Sequence, residues 1–376
     1  MFHVFTAIIA LYVIARFVLP LPWNRVSKAL LSVLLILVAE HHLITRNLFG
    51  SMASPEIPGT VLILLGWAFG SLVLLALLLL IRDVAGLLIW AVSRSTGRAV
   101  LMQYRVGLML GVVAAGLGLV GVQQAIRVPD VKTVDIVLPD LPKALDGLRV
   151  VQLTDLHASR LLEEPWMQAV VNKTNALKPD LILLTGDMVD GSAQARVNDV
   201  FPLRQLQARY GVFAIPGNHE YYVDYSHWLP AFDQLGLHML LNEHAVLTLK
   251  GEKLVLAGIT DKAASPFGLP MPNVGTALKG APQGAPVILL SHRPLGALAN
   301  AKLGVDPQLS GHTHGGQILG PHLLTQWANE GFVSGLYDVD GMRLYVSNGS
   351  GLWNGFPIRL GRPSEITEIV LRSAAP

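Results

Sequence analysis

Hydrophobic positions follow two different patterns along this chain. Up to Ile126 they form long, nearly unbroken blocks; beyond it they come in short runs separated by Gly-, Asp- and His-bearing loops. Crossing a bilayer takes about 20 predominantly apolar residues. Four blocks qualify, at 3–22, 27–45, 57–81 and 105–126. The third carries no charge between Glu56 and Arg82, and the fourth is rich in Gly and Ala, which lets membrane helices approach closely. The first lacks the basic start and small-residue cleavage site of a secretory signal, so it reads as a span. Residues 82–98 are apolar but bounded by charges and too short to cross, as expected of a helical extension or an interfacial helix.

In the second part the runs Leu148–Leu153, Leu181–Leu184, Val212–Ile215, Val287–Leu290 and Leu303–Leu309 are continuous enough for strands buried on both faces. Helices are expected at 163–178 and 199–209, and further strands at Ala245–Leu249, Leu254–Ile259, Arg343–Ser347 and Ile366–Arg372. The pattern predicts a multi-span membrane region over 1–127, a polar connector with room for an edge strand over 128–147, and an α/β domain over 148–376.

Charge sharpens this division. Residues 1–127 hold 9 Lys+Arg and 3 Asp+Glu, a net of +6; the remaining 19 and 23 give residues 128–376 a net of −4. An acidic second half argues against nucleic acid as the main partner, because backbone binding needs a basic face. The basic residues of the first half favour the loops after spans one and three. Those loops are then cytoplasmic, and four spans place the N-terminus and everything after Arg127 outside the cytoplasm. Glu40, His41 and His42 close the second block; they either mark a polar path at membrane depth or sit at headgroup level. The absence of cysteine excludes disulfides and thiolate metal sites.

Each strand-like run ends in a residue able to bind metal. Asp155 and His157 follow the first, Asp187 the second, Asn218 and His219 the third, His292 the fourth, and His312 and His314 the fifth. Carboxylate, amide and imidazole together suit Mn, Fe or Zn, and seven donors are too many for one ion. Two ions about 3.5–4 Å apart can clamp the oxygens of an in-line displacement and generate hydroxide at neutral pH. Asp187, after a strand and a Gly, is the natural bridging carboxylate. Asn218 adds a neutral oxygen where a phosphate must enter, and His219 is placed to protonate the leaving oxygen. Asp190 and Glu220 stand beside these positions as supporting carboxylates. His227, His238, His244 and His322 lie outside the pattern and read as surface or packing residues.

Asp155-x-His157, Gly186-Asp187-x-x-Asp190, Gly217-Asn218-His219-Glu220, Ser291-His292 and Gly311-His312-Thr313-His314 resemble the blocks of the calcineurin-like metallophosphoesterases. The resemblance covers 148–372. GHTHGGQ at 311–317, Asn348-Gly349-x-Gly351, Pro357-Ile358-Arg359 and the 363–366 tail are similar to the branch of bacterial YkuE- and YaeI-type phosphodiesterases, with Ser364 where a second Pro is common. Four spans before such a domain resemble the transmembrane proteins with a metallophosphoesterase domain. The resemblance implies a double β-sheet sandwich flanked by helices. It also implies one metal on Asp155, His157, Asp187 and His314, a second on Asp187, Asn218, His292 and His312, and His219 as catalytic histidine.

A membrane-tethered dinuclear phosphoesterase therefore leads the expectations, acting on a phosphodiester or pyrophosphate. A metal-held scaffold or a sensor coupled to the spans is the alternative. Tyr221, Tyr222, Tyr225, Trp228, Phe267, Met271, Leu352, Trp353 and Phe356 either receive a lipid-linked substrate at the bilayer or pack the domain.

Overall fold

The computed structural model describes residues 2–50 and 54–374. Met1 and residues 51–53 of the expected membrane region, and 375–376 of the expected catalytic domain, lie outside the described residues. The chain divides into two compact units. One comprises Met1–Gln124 with Asn354–Leu360, the other Ala125–Trp353 with Gly361–Pro376.

The first unit is helical. α1 (Phe2–Val13) runs into a π-helical turn at Ile14–Val18, and α2 (Arg25–Ala39), α3 (His41–Phe49), α4 (Gly59–Val92), α5 (Arg94–Met102) and α6 (Tyr104–Ile126) follow. Asn24 starts α2 by accepting a hydrogen bond from the Ser27 N–H at 2.9 Å. Among the described residues α4 and α6 are long and apolar enough to cross a membrane. α2 and α3 pass only as a pair bent by 57°. Phe2–Val18 is shorter than a span; at about 1.5 Å per residue it falls short of a hydrocarbon core of about 30 Å. Four apolar blocks thus yield two clear spanning helices and a third if the bent pair counts as one. The apolar stretch after Arg82 is an extension of α4 as far as Val92.

Several charged and polar groups inside this unit are paired. The Asp83 carboxylate accepts from Tyr12 Oη at 2.9 Å, Arg16 Nε at 2.7 Å and Arg82 Nε at 2.9 Å. At the α2–α3 bend Glu40 accepts from Thr6 Oγ1 at 2.8 Å, and His41 and His42 are buried. His42 Nε2 lies 2.5 Å from the Gly355 carbonyl oxygen. The last contact shows how the returning segment 354–360 is held. Gly66, Gly70 and Gly121 leave the room that Pro357 and Ile358 occupy, and Arg359 N donates to Gly121 O at 3.0 Å.

Among the described residues the second unit is built on twelve strands: β1 (Asp130–Leu138), β2 (Leu148–Leu153), β3 (Leu181–Thr185), β4 (Val212–Ile215), β5 (His238–Met239), β6 (Glu243–Leu249), β7 (Glu252–Gly258), β8 (Val287–Leu290), β9 (Gln308–Ser310), β10 (Gly335–Val339), β11 (Met342–Val346) and β12 (Glu365–Ser373). They form two six-stranded sheets, ordered β1-β12-β2-β3-β4-β5 and β10-β11-β9-β8-β7-β6. β2 to β5 are mutually parallel, as are β7, β8, β9 and β11. Side-chain alternation explains the unbroken apolar runs. Leu181 and Leu183 join the core between the sheets, whereas Ile182 and Leu184 face the helices outside. Those helices are α7 (Glu164–Ala176), α8 (Ala193–Val200) and α10 (Tyr225–Gln234), preceded by α9 (Asn218–Val223). α11 (Val274–Ala277) and α12 (Ala297–Ala301) cover the other sheet, and α13 (His322–Ala328) follows.

This is the expected α/β domain of two sheets flanked by helices, with two local departures. The connector 128–147 contains the edge strand it had room for, β1 pairing with β12 along its whole length. The helix expected at 199–209 begins earlier, because Ser192 caps α8; Pro202, which has no N–H to donate, leaves only a 3-10 turn at Phe201–Gln205. The run 303–309 is extended only from Gln308 onward, after Gly304 and Pro307. Trp228 is 0% exposed, stacks on Phe232 and donates Nε1–H to Gly191 O at 2.9 Å. Trp228→Ala should therefore cost about 3–5 kcal/mol of stability, measured by denaturant unfolding; a loss below about 1 kcal/mol would contradict this packing.

Candidate metal centre

The donor-bearing loops leave the carboxyl ends of β2, β3, β4, β8 and β9, so both sheets deliver side chains to one place. The turns are sharp. Asp155 (φ 54°), His157 (φ 48°), Asp187 (φ 52°), His312 (φ 69°) and His314 (φ 50°) all occupy the left-handed region, at a cost of about 1–2 kcal/mol each. Interlocking backbone bonds hold them there. Asp155 N donates to Gly186 O at 2.9 Å and His157 N to Asp187 O at 3.0 Å. The Glu220 carboxylate accepts from the N–H groups of Asp187 (3.1 Å), Met188 (2.6 Å) and Gly217 (2.7 Å), fastening the two loops together. Any side chain at Gly217 would collide with Asp187.

Three groups of potential ligands result: Asp155, His157 and His314; His157, Asp187 and His219; and Asp187, His292 and His312. Within each, the ligand atoms lie inside 4.8 Å of one another. Asn218 joins the third, its Oδ1 3.2 Å from His292 Nε2. The structure thus brings together all seven expected ligands and His219, with Asp187 common to two groups. His227, bonded to Asp224 at 2.6 Å, and His244, bonded to Ala277 O at 2.6 Å, lie apart from the cluster. His238 and His322 also stand outside the three groups.

The imidazole orientations test whether cations fit. A carboxylate only accepts, so the two rings that meet Asp190 Oδ1 must both donate: His157 Nδ1 at 3.1 Å and His219 Nδ1 at 2.5 Å. His157 Nε2 is then left facing Asp155 Oδ1 and Asp187 Oδ2, each at 3.8 Å, and His314 Nε2 at 3.3 Å. His292 Nδ1 donates to Thr185 O at 2.8 Å, which leaves Nε2 facing Asp187 Oδ2 and Asn218 Oδ1, each at 3.2 Å. Lone pairs directed into buried carboxylate and amide oxygens are what a divalent cation would satisfy, and the distal bonds fix the ring tautomers.

Without a cation, protons must balance these charges. Burial opposes protonation of His219, but Asp190 and Asp187 outweigh it and lift the pKa to about 10. Burial likewise opposes protonation of His292, and Asp187 raises its pKa to about 9. Burial raises the Asp190 carboxyl, yet the His157 and His219 rings draw it down to about 2. Burial, then Asp187, pushes Glu220 up to about 7. His312 is held well below the usual range by burial and by His292 and Arg293.

Arg293, Asp261 and Trp353 complete the surroundings. Arg293 Nε donates to Asp261 Oδ2 at 2.8 Å and Nη1 lies 2.5 Å from His312 Nε2. The signal for Arg293 was its place directly after His292, and for Asp261 the end of an apolar run. Trp353 and Tyr222 flank His219, with ring centroids 6.3 and 5.7 Å away. Of the aromatic and apolar residues expected near the site, Tyr222, Phe267 and Met271 are exposed, whereas Tyr221, Trp228 and Leu352 are buried packing residues. Phe356 belongs to the helical unit, beside Phe69.

A two-sheet α/β domain whose strand ends converge on a buried carboxylate–imidazole cluster is that of a metallophosphoesterase. The Calcineurin-like phosphoesterase family matches residues 148–316, and the chain belongs to it. It is 33% identical over 306 residues to the Bos taurus transmembrane protein with metallophosphoesterase domain, covering 77% of this chain and 68% of that one. An uncharacterized metallophosphoesterase of Campylobacter jejuni is 34% identical over 253 residues, covering 67% and 65%. The uncharacterized metallophosphoesterase YkuE of Bacillus subtilis is 31% identical over 243 residues, covering 62% and 82%. The chain thus spans about two thirds of the first two relatives.

Removing the Asp190 charge should lower the His219 pKa. In metal-free protein, Asp190→Asn should move His219 from about 10 toward the ordinary value near 6.5, followed by imidazole NMR. An unchanged titration would show that Asp190 does not hold that proton.

Proposed function

We propose that this protein is a membrane-anchored dinuclear-metal phosphoesterase that cleaves phosphodiester or pyrophosphate bonds of a lipid-linked substrate. The observation that carries the metal reading is the pair of imidazoles, His157 and His292, whose Nδ1 atoms are fixed by Asp190 and Thr185 while Nε2 faces carboxylate oxygens. On this reading Asp155, His157, Asp187 and His314 hold one ion and Asp187, Asn218, His292 and His312 the other. Mn, Fe and Zn suit this donor set. When bound, the ions would supply Lewis-acid polarisation of the phosphoryl group and activation of the attacking water.

The protein's own residues do the rest. Asp187 bridges the two donor sets. Asp190 orients His219 through Nδ1, so that Nε2 points toward the cluster, 4.0 Å from Asp187 Oδ2, where it can donate a proton to the leaving oxygen. Arg293, steadied by Asp261, can pair with a phosphoryl oxygen. Tyr222 and Trp353 offer apolar surface beside His219 for the rest of the substrate.

The apolar helices α4 and α6, with the bent α2–α3 pair as a third candidate, and the transmembrane relatives support anchoring in the bilayer. The basic loops support placing the catalytic domain outside the cytoplasm. An anchored site meets substrates in or beside the bilayer, which is the ground for the lipid-linked reading.

Elemental analysis of protein reconstituted with Mn or Zn should find two ions per chain; retention of no more than one would overturn the dinuclear site. His219→Ala should lower turnover of a chromogenic phosphodiester by about 10²–10⁴-fold with metal content unchanged. With the intact protein, vesicle-presented phosphodiesters should be cleaved faster than soluble ones, and equal rates would remove the lipid-linked reading.

A further inference from the structure

The loop between the last two metal-ligand candidates and β10 is built against the usual rule for a water-facing surface. It leaves the GHTHGG turn at Gln317 and returns at Val333, whose carbonyl accepts from Thr313 Oγ1 at 2.8 Å. His322, at the start of α13, packs so closely on Gly316 that a Cβ there would lie 2.5 Å from the His322 Cβ. Both ends of the loop are thus fastened to the turn that carries His312 and His314.

Within it, polarity is inverted. Leu319 is 63% exposed, Leu323 60%, Leu324 73% and Trp327 84%. The polar side chains instead bond to the loop's own backbone: Asn329, buried just beyond α13, donates to Thr325 O at 2.8 Å, and the half-buried Gln326 donates to Gly331 O at 3.0 Å. Leu323, Leu324 and Trp327 lie at helical spacing on one side of α13, and no residue from Ile318 to Asn329 carries a formal charge. A water-exposed helix would show the reverse arrangement.

We propose that α13 is an interfacial helix that inserts Leu319, Leu323, Leu324 and Trp327 into the outer part of a phospholipid leaflet, docking the candidate metal centre at the level of the headgroups. Leucines led by a tryptophan suit the boundary between acyl chains and headgroups. The bilayer, rather than a second protein, is the occupant because the same polypeptide carries helices of bilayer-spanning length, which tether the domain to a lipid surface. The proposal rests on the membrane-anchored reading above and adds to it the element that would present lipid-linked phosphates to His312 and His314.

The chain has no cysteine, so single-cysteine variants of the 376-residue chain can be labelled cleanly. Three are prepared: Leu324→Cys on α13, Leu80→Cys on α4 as the bilayer reference, and Val197→Cys on α8 as the aqueous reference. Each carries an environment-sensitive fluorophore and is reconstituted in phosphatidylcholine–phosphatidylglycerol vesicles, with iodide and lipids brominated on the acyl chain as quenchers. The label at 324 should be quenched by bromolipid at least about half as strongly as that at 80, as for a group about 5–10 Å into the boundary region, and be shielded from iodide. Iodide access at 324 equal to that at 197, with 80 quenched by bromolipid, would overturn the interfacial helix while leaving the anchor intact. Shielding of 324 from both quenchers would mean a protein contact and would also overturn it. Lipid quenching at neither 80 nor 324 would remove the anchored reading together with the proposal.

Discussion

Burying Asp155, Asp187 and Asp190 within one cluster is tolerable only if positive charge lies among them. That requirement organises the second unit. Imidazoles supply part of the charge as protons on His219 and His292. The Nε2 atoms of His157 and His314 face Asp155 Oδ1 at 3.8 and 3.5 Å, an arrangement that calls for a cation. Two sheets whose parallel strands end at the same edge provide the rigidity, and left-handed backbone at five donor residues turns their side chains inward. The bonds from Glu220 and between the Asp155 and Asp187 loops hold that strained backbone in place.

The cluster was legible because its residue types have little other use after a buried strand. Runs such as Val212–Ile215 and Val287–Leu290 became strands with the bounds read from their apolar residues, since burial on both faces leaves no polar interruption to blur them. Short polar or partly exposed elements were less legible: an edge strand was expected within 128–147 without bounds, and β5 not at all. β1 has a mixed burial pattern, and β5 contains only two residues. The inversion of α13 could not be seen at all, because HLLTQWA reads equally as a helix packed on the core. The aromatic loops were ambiguous for the same reason: Tyr221 and Tyr222 are neighbours in sequence, yet one is 3% exposed and the other 57%.

In the first unit hydropathy identified apolar blocks but not where helices break. The second block bends at Glu40, where the backbone leaves helical geometry (φ −101°, ψ 12°) and the carboxylate bonds Thr6 across to α1. Contacts between residues distant in sequence decide this, and a sliding window does not see them. His41 and His42 resolve in the same way, as packed side chains of the unit, with His42 bonded to a carbonyl more than three hundred positions away.

The return of Asn354–Leu360 to the helical unit means that the polypeptide passes between the two units three times, after Gln124, Trp353 and Leu360. No single cut separates them. A fragment beginning near residue 128 would keep Pro357 and the fully buried Ile358 but lose the glycine-lined helices that enclose them. The metallophosphoesterase domain and the apolar helices are thus interwoven parts of one covalent architecture, and a freestanding version of the domain would carry a 354–360 segment stripped of its packing partners.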